Sequence, residues 1–473
     1  MVYFHWIIIG IYVTLVASAM VTVLMDNRQP AKAMAWLLVL TFIPIVGLVL
    51  YFFFGQNTRK ERLISQRSLD QLSKRSMLNF VEQKNLNIPE RHRTLISLFT
   101  NQSWALPFKD NDIEIFTNGY DMFLSLLSDI GQARHHIHLV TFIMENDELG
   151  NLVADILIDK AREGVEVRVI YDDVGCWSVR DKFFNRMAKA GVQVQPFGPV
   201  RFPAFTSKVN YRNHRKLCII DGHTGYIGGM NIARRYVKGL PKHKLRDTHL
   251  RVKGGAVYAI QRAFLIDWYY VSRTLITSKT YYPLVKTESD KKQLAQLVTS
   301  SPISQWPDIM QGYIRILLEA RRYVYIETPY FLPTEPVMYA IRTAALAGID
   351  VRLMVPLHSD TQFVNLASRS YLRQIAESGA KVYLYDDGFN HSKLLICDDE
   401  LCTCGSTNVD FRSFENNFEA NLFIYDKDIS VRMREIFEHD QEKCITLTEL
   451  KGRRSSFLSK LIESVLRLFS PIL

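Results

Sequence analysis

His214-Arg215-Lys216-Leu217-Cys218-Ile219-Ile220-Asp221, followed after six residues by Gly228-Gly229-Met230-Asn231, decides the architecture because the chain writes it twice. The second copy reads His391-Ser392-Lys393-Leu394-Leu395-Ile396-Cys397-Asp398, then Gly405-Ser406-Thr407-Asn408. His, Lys, Asp, Gly and Asn recur at one spacing, which is too long a match for coincidence. In a strand, residues two apart share a face, so each copy is expected to present an imidazole and an ammonium together. The apolar run after each Lys reads as buried strand, and the Gly-rich stretch beyond the turn lets backbone approach closely.

Those residue types name a reaction class. Two His and two Lys around one point form an anion pocket that suits a phosphate, to which Lys donates as a compact point charge. One His can attack phosphorus as a nucleophile while the other moves the proton of an alcohol near neutral pH. The expected chemistry is phosphoryl-type transfer by double displacement through a phosphohistidine, with no cofactor and no metal.

The paired pattern resembles the HKD motifs of the phospholipase D superfamily. The extended second copy, Gly405-Ser406-Thr407-Asn408-Val409-Asp410-Phe411-Arg412-Ser413 with Asn417 and Glu419, is similar to the bacterial cardiolipin synthase branch, as is Asn27-Arg28-Gln29-Pro30-Ala31-Lys32 leading into Ala35-Trp36-Leu37-Leu38. The resemblance implies a membrane phosphatidyltransferase that moves a phosphatidyl group from one phosphatidylglycerol to another, releasing glycerol. Hydrolytic phospholipase D, or transfer to a different alcohol, stays open. It implies His214 as nucleophile and His391 as general acid and base. Lys216, Lys393, Asn231 and Asn408 are expected on the phosphate oxygens. Asp247 is expected to orient His214, and Glu419 to orient His391. Asp221 and Asp398 complete the motif set, more as supports of each motif's fold than as groups touching substrate.

The rest of the chain repeats as well. Ala161-Arg162-Glu163-Gly164-Val165-Glu166-Val167 aligns with Ala344-Ala345-Leu346-Ala347-Gly348-Ile349-Asp350, and Met187-Ala188-Lys189-Ala190-Gly191-Val192 with Ile375-Ala376-Glu377-Ser378-Gly379-Ala380. Each reads as helix, Gly cap and buried strand. Helices alternating with apolar strands predict an α/β fold. It consists of two similar halves, residues 111–290 and 291–445, which the resemblance packs about a pseudo-two-fold axis. Because the halves complete one site, no oligomer is required. The first half carries an insertion: twenty steps separate Val194 from His214 and nine separate Val382 from His391. Its residues Phe197 to Arg212 form either a substrate-access loop or an ordinary surface insertion.

The chain of 473 residues is 48% hydrophobic and 12% aromatic, which excludes disorder, and its net charge of +10 suits anionic partners. No nucleic-acid-binding module stands out, so the anionic partners expected are phospholipids and the bilayer surface. Phe4 to Met25 and Ala35 to Phe54 are uncharged apolar runs, each near the ~20 residues a spanning helix needs. They predict a transmembrane hairpin over 1–56 in a bacterial cell membrane. Arg59, Lys60, Arg62, Arg67, Lys74 and Arg75 follow it, which puts the catalytic region on the cytoplasmic side. Residues 57–110 read as a charged helical linker. Residues 446–473 read as a basic amphipathic helix, either lying in the membrane interface or packed on the catalytic body. The six cysteines read as reduced and structural, and Lys238 to Arg246 as a basic loop, solvated or touching headgroups.

Overall fold

Ile43-Pro44 interrupts the second apolar run. The computed structural model describes residues 2–25, 30–55, 64–83, 86–200, 210–240, 243–283, 292–450, 457–468 and 470. The first run is one helix, Val2–Met25. The second divides into Pro30–Phe42 and Pro44–Leu50 and ends in a π turn, Tyr51–Gly55. Pro44 supplies no N–H and pushes Ile43 out of helical geometry, to φ −131 and ψ 58. The segments still pack together through Val23, Leu40 and Tyr51, with Trp36 edge-on to Tyr51. Only Tyr3–Met25 is long and apolar enough to span a bilayer among the described residues. Of the expected pair of spanning helices, the first run is one unbroken helix and the second is broken at Pro44. Arg28 and the linker cations Arg59, Lys60 and Arg62 lie outside the described residues.

Beyond Ile64 the two halves build one 15-stranded sheet. The first half contributes Pro107–Phe116, His249–Lys253, Thr224–Gly228, Leu217–Ile220, His136–Thr141, Glu166–Asp172 and Gln193–Phe197, in that spatial order. The second contributes Gln293–Ser300, Glu419–Tyr425, Leu401–Gly405, Leu394–Cys397, Tyr323–Glu327, Asp350–Pro356 and Lys381–Tyr385, with Cys444–Thr446 at the edge. The halves meet where Pro107–Phe116 pairs antiparallel with Gln293–Ser300. In each half three strands, His136–Thr141, Glu166–Asp172 and Gln193–Phe197 or Tyr323–Glu327, Asp350–Pro356 and Lys381–Tyr385, are parallel and joined by helices, as the repeat predicted, while Cys444–Thr446 adds on antiparallel. The helices Glu148–Arg162 and Glu335–Leu346 both end before a glycine in left-handed geometry, Gly164 (φ 90) and Gly348 (φ 88).

Three large apolar clusters hold this together. One lies under the first-half helices and one under the second-half helices. The third is shared, mixing Leu217, Ile227 and Leu250 with Leu394, Ile396, Leu422 and Ile424. The halves therefore have no independent interior at their join. The segment read as a linker does more than connect. Arg93–Ser103 is a helix whose Leu95, Ile96 and Phe99 sit in the second half's cluster, and the first strand of the sheet begins at Pro107.

Candidate active site

His214 and Lys216 stand in the segment just before the strand Leu217–Ile220, and His391 and Lys393 just before Leu394–Cys397. They were expected inside those strands. The ladder begins only where Leu217 and Leu394 find partners, so the reactive groups project beyond the sheet's end. Sharing of a face holds nonetheless. The His214 ring and the Lys216 ammonium both meet Phe142, at 5.0 and 5.4 Å. Asn213 and Arg215 turn the other way, to the buried carboxylate of Asp267, at 3.0 and 2.5 Å.

The carboxylates cross between the halves. His214 Nδ1 lies 3.0 Å from Glu419 Oε1, and His391 Nδ1 lies 2.7 Å from Asp247 Oδ2. The expectation had these pairs the other way round, with Asp247 on His214 and Glu419 on His391. It assumed each half was self-sufficient, whereas the structure seats each histidine where the other half enters the strand Glu419–Tyr425 or His249–Lys253. Backbone bonds enforce the exchange: His214 N–H donates to Phe418 O at 2.9 Å and His391 N–H to Arg246 O at 2.6 Å. Beside these, Asn213 bridges Phe418 and Phe389–Asn390 pairs with Leu245–Arg246.

A carboxylate at each Nδ1 fixes that nitrogen as the proton-bearing one and turns Nε2 toward the opening. Burial holds the His214 imidazole below its usual range against the pull of Glu419. Burial, with Lys393 adding to it, takes His391 down to about 4. Burial also brings Lys216 down to about 7 and lowers Lys393. Burial alone would raise the two carboxylates, but Lys393 and His391 outweigh it at Asp247, as His214 and Lys216 do at Glu419, so both stay ionised. The resting site thus pairs two neutral imidazoles with two anions and two ammonium groups, one of them, Lys216, poised near neutrality. An incoming phosphodiester anion favours every proton held there.

The two copies differ where the backbone approaches the carboxylates. A Cβ on Gly229 would fall 2.1 Å from Asp247 Oδ1, so this position has no room for a side chain. The matching position of the second copy is Ser406, whose hydroxyl donates to Glu419. Asn231 accepts from Ile143 N–H at 3.1 Å and donates to the Tyr236 hydroxyl at 2.7 Å; Asn408 donates to Asp410 at 3.0 Å. Each amide keeps a second N–H beyond these bonds.

Asp221 and Asp398 lie at the other end of their strands, roughly 16 Å along the chain from the lysines at strand spacing. Asp221 accepts the N–H groups of Arg134, His135 and His136 at 2.7 to 2.9 Å. Asp398 accepts those of Arg321, Arg322 and Tyr323 at 2.8 to 2.9 Å. They hold turns, and the motif's third letter is structural in both halves. Behind the site, Arg246 joins Asp440 (2.8 Å), Thr248 and Ser392, so the end of the supposed basic loop is a buried strut; residues 241–242 of that loop lie outside the described residues. Glu327, raised by burial to about 7 against the pull of Arg246, faces Asn390. Neither Arg246 nor Glu327 carries a motif signal. His136 and His138, a spacing compatible with a metal, are bridged by Gln261 at 2.9 and 2.8 Å inside the first half. Of the expected access loop, residues 201–209 lie outside the described residues, while its base is fixed by Arg212 on Asp172.

Comparison with known proteins matches this geometry to a lineage. Residues 126–253 and 313–441 each match the family described as cardiolipin synthase, PLD-like domain, and residues 14–56 match phospholipase D-nuclease N-terminal. A cardiolipin synthase of Listeria monocytogenes serotype 4b is 40% identical over 467 residues, 96% of each chain. The major cardiolipin synthase of Bacillus subtilis (strain 168) is 40% identical, again over 96% of each. The crystal structure of phosphatidylserine synthase from Haemophilus influenzae Rd KW20 shares the fold, with a TM-score of 0.61 and 16% identity over 80% of this chain and 100% of that one.

Proposed function

The chain belongs to the cardiolipin synthase family of phospholipase D-like phosphatidyltransferases, and from that premise we propose the reaction its site performs. Two phosphatidylglycerol molecules give cardiolipin and glycerol. His214 Nε2 attacks the phosphorus of the first lipid and forms a P–N bond. The P–O bond to the glycerol headgroup breaks as His391, protonated on both ring nitrogens once the lipid's phosphodiester anion is bound, gives that oxygen its Nε2 proton. The headgroup hydroxyl of the second lipid then loses its proton to His391 and attacks the phosphohistidine. Cardiolipin leaves and His214 is restored.

Lys216 and Lys393, with the remaining N–H of Asn231 and Asn408, neutralise charge on the equatorial oxygens. Glu419 stabilises the cation that forms on His214, and Asp247 does the same for His391. The observation that carries this reading is the crossed pair of buried His–carboxylate contacts, which holds both imidazoles by Nδ1.

Membrane association follows from the spanning helix and the family. The return arm Pro30–Gly55 is proposed to re-enter or cross the bilayer and to leave the catalytic body on the cytoplasmic side, where Arg67, Lys74 and Arg75 follow it.

The test is mass spectrometry of products from purified protein and phosphatidylglycerol, with chelator present. Cardiolipin plus glycerol supports the proposal; phosphatidic acid alone makes water the acceptor. Covalent labelling from radioactive lipid should vanish in His214→Asn. Loss in His391→Asn with retention in His214→Asn would exchange the two roles.

A further inference from the structure

The C-terminal helix Phe457–Leu468 is docked with the Glu463 carboxylate inward. It runs antiparallel to Gln362–Glu377. Glu463, 1% exposed, pairs with Arg373 at 2.5 Å; Ser470 accepts from Tyr371 at 3.2 Å; Leu466 rests on the cluster of Leu332, Val364 and Ala367. The opposite face carries Leu461, Ile462, Val465 and Leu468, at 48, 45, 46 and 73% exposure. Their spacing of one, four and seven residues makes a single stripe. Phe363, at the start of the partner helix, is 63% exposed. A helix held against a protein in water turns its apolar side inward and its carboxylates outward; this one buries the Glu463 carboxylate and, Leu466 apart, leaves these apolar side chains at the surface.

We propose that this stripe lies in the headgroup layer of the bilayer that holds Val2–Met25, so that the helix is a rigid foot seating the catalytic cleft on the membrane. Three observations select a lipid surface as the occupant. The same chain carries a helix long and apolar enough to span a bilayer, and its family is membrane-associated, which sets that surface beside the catalytic body. Arg467, over the Tyr371 ring at the stripe's border, and the net charge of +10 complement anionic lipid. The foot also joins the site itself. The cluster under Leu466 includes Tyr330, whose ring lies 6.4 Å from that of His391 and whose hydroxyl donates to Asp360 at 2.8 Å. Pressing the stripe into the headgroups therefore brings the His391 wall of the cleft to the bilayer. This last consequence rests on the lipid reaction proposed above, whereas the seating itself does not.

The experiment places an environment-sensitive fluorophore on Val465→Cys in the full chain, with Cys444→Ser removing the one native thiol that is not buried. The protein is reconstituted in nanodiscs of phosphatidylcholine and phosphatidylglycerol. Blue-shifted emission, quenched by a lipid doxyl group near the headgroup and not by aqueous iodide, is the expected result. Quenching by iodide alone overturns the proposal, as does shielding from both quenchers in a dimer that persists in detergent, which would make a second copy the occupant. The double variant Leu461→Glu with Val465→Glu changes only the outward face. Its rate on phosphatidylglycerol in nanodiscs should fall about tenfold while its rate on the same lipid in detergent stays unchanged. An unchanged nanodisc rate overturns the seating. Loss in both media together with a retained lipid-quenched label would instead count against the proposed reaction.

Discussion

Glu419 holds His214 from across the join of the two halves, its Oε1 3.0 Å from the imidazole Nδ1, and Asp247 returns the arrangement to His391. The two carboxylates are therefore assigned to different chemical steps. With a phosphatidyl ester of p-nitrophenol, whose leaving group needs no proton, formation of the phosphoenzyme depends on His214 alone. Glu419→Gln should slow the p-nitrophenol burst by roughly 10³ to 10⁴-fold, the scale of removing an orienting carboxylate from a catalytic His. Asp247→Asn should leave the burst nearly intact and slow the later transfer to alcohol. Rapid-quench kinetics reads both steps, and the opposite assignment of slow steps would restore the pairing expected from sequence.

Gly229 and Ser406 occupy matching positions but tolerate different changes. Gly229→Ala puts a methyl group on the Asp247 carboxylate, 2.1 Å from Oδ1 before relaxation. The expected cost is about 1 to 3 kcal/mol of stability, with a large fall in kcat as Asp247 is displaced from His391. Ser406→Ala removes a hydroxyl that donates to Glu419 and accepts the Ala420 N–H at 3.0 Å, and should cost about 1 to 3 kcal/mol without displacing the carboxylate. Thermal unfolding and steady-state rates, measured side by side, check the asymmetry.

The motif residues and the helix–glycine–strand repeats were legible because they are local: a spacing, a cap, an apolar run. The partner of each histidine was not, because Asp247 and Glu419 stand at the same place in their own halves, and no local spacing tells which imidazole a strand end will meet after two sheets are packed. The same limit hid Arg246, a surface cation by its neighbours Lys242, His243 and Lys244, yet buried against Asp440 once the halves close. Apolarity suggested two unbroken spanning helices, and a single imino acid at Pro44 breaks the second run into two shorter helices. The C-terminal stripe was visible as a periodicity, but only the Arg373–Glu463 contact reveals which side faces outward.

His249 ties this packing to pH. Its Nδ1 accepts the Met230 N–H at 3.4 Å, inside the Gly228–Asn231 stretch, so that nitrogen carries no proton in the fold. Burial takes the group down to about 3, Asp247 opposing. Between that value and the ordinary 6.5 the unfolded chain binds a proton that the folded chain does not, so stability falls as pH falls through this window. One such histidine accounts for roughly 2 kcal/mol lost between pH 7 and pH 5. His249→Gln should flatten the acid limb of the melting-temperature profile by about that amount. An unaltered slope between pH 7 and pH 5 would show that His249 does not contribute to it.

Arg215 makes the reverse prediction. Its guanidinium meets Asp267 at 2.5 Å, and both side chains are almost fully buried. Burial already raises Asp267 above the usual carboxylate range, and Arg215 is the chief opposing influence. Arg215→Met strands that carboxylate, at a cost of about 3 to 5 kcal/mol near pH 7. With its folded-state value raised further, Asp267 then binds a proton in the fold that the unfolded chain releases, so the variant's deficit grows as pH rises and shrinks toward acid. That is opposite in sign to the histidine effect. Pairing it with Asp267→Leu removes the stranded charge and should recover most of the stability. Activity should not return with it, because Arg215 Nε also holds Glu419 O at 3.0 Å, and Glu419 sets the angle of His214. A double variant that regained both stability and turnover would reduce this pair to a packing element with no hold on the nucleophile.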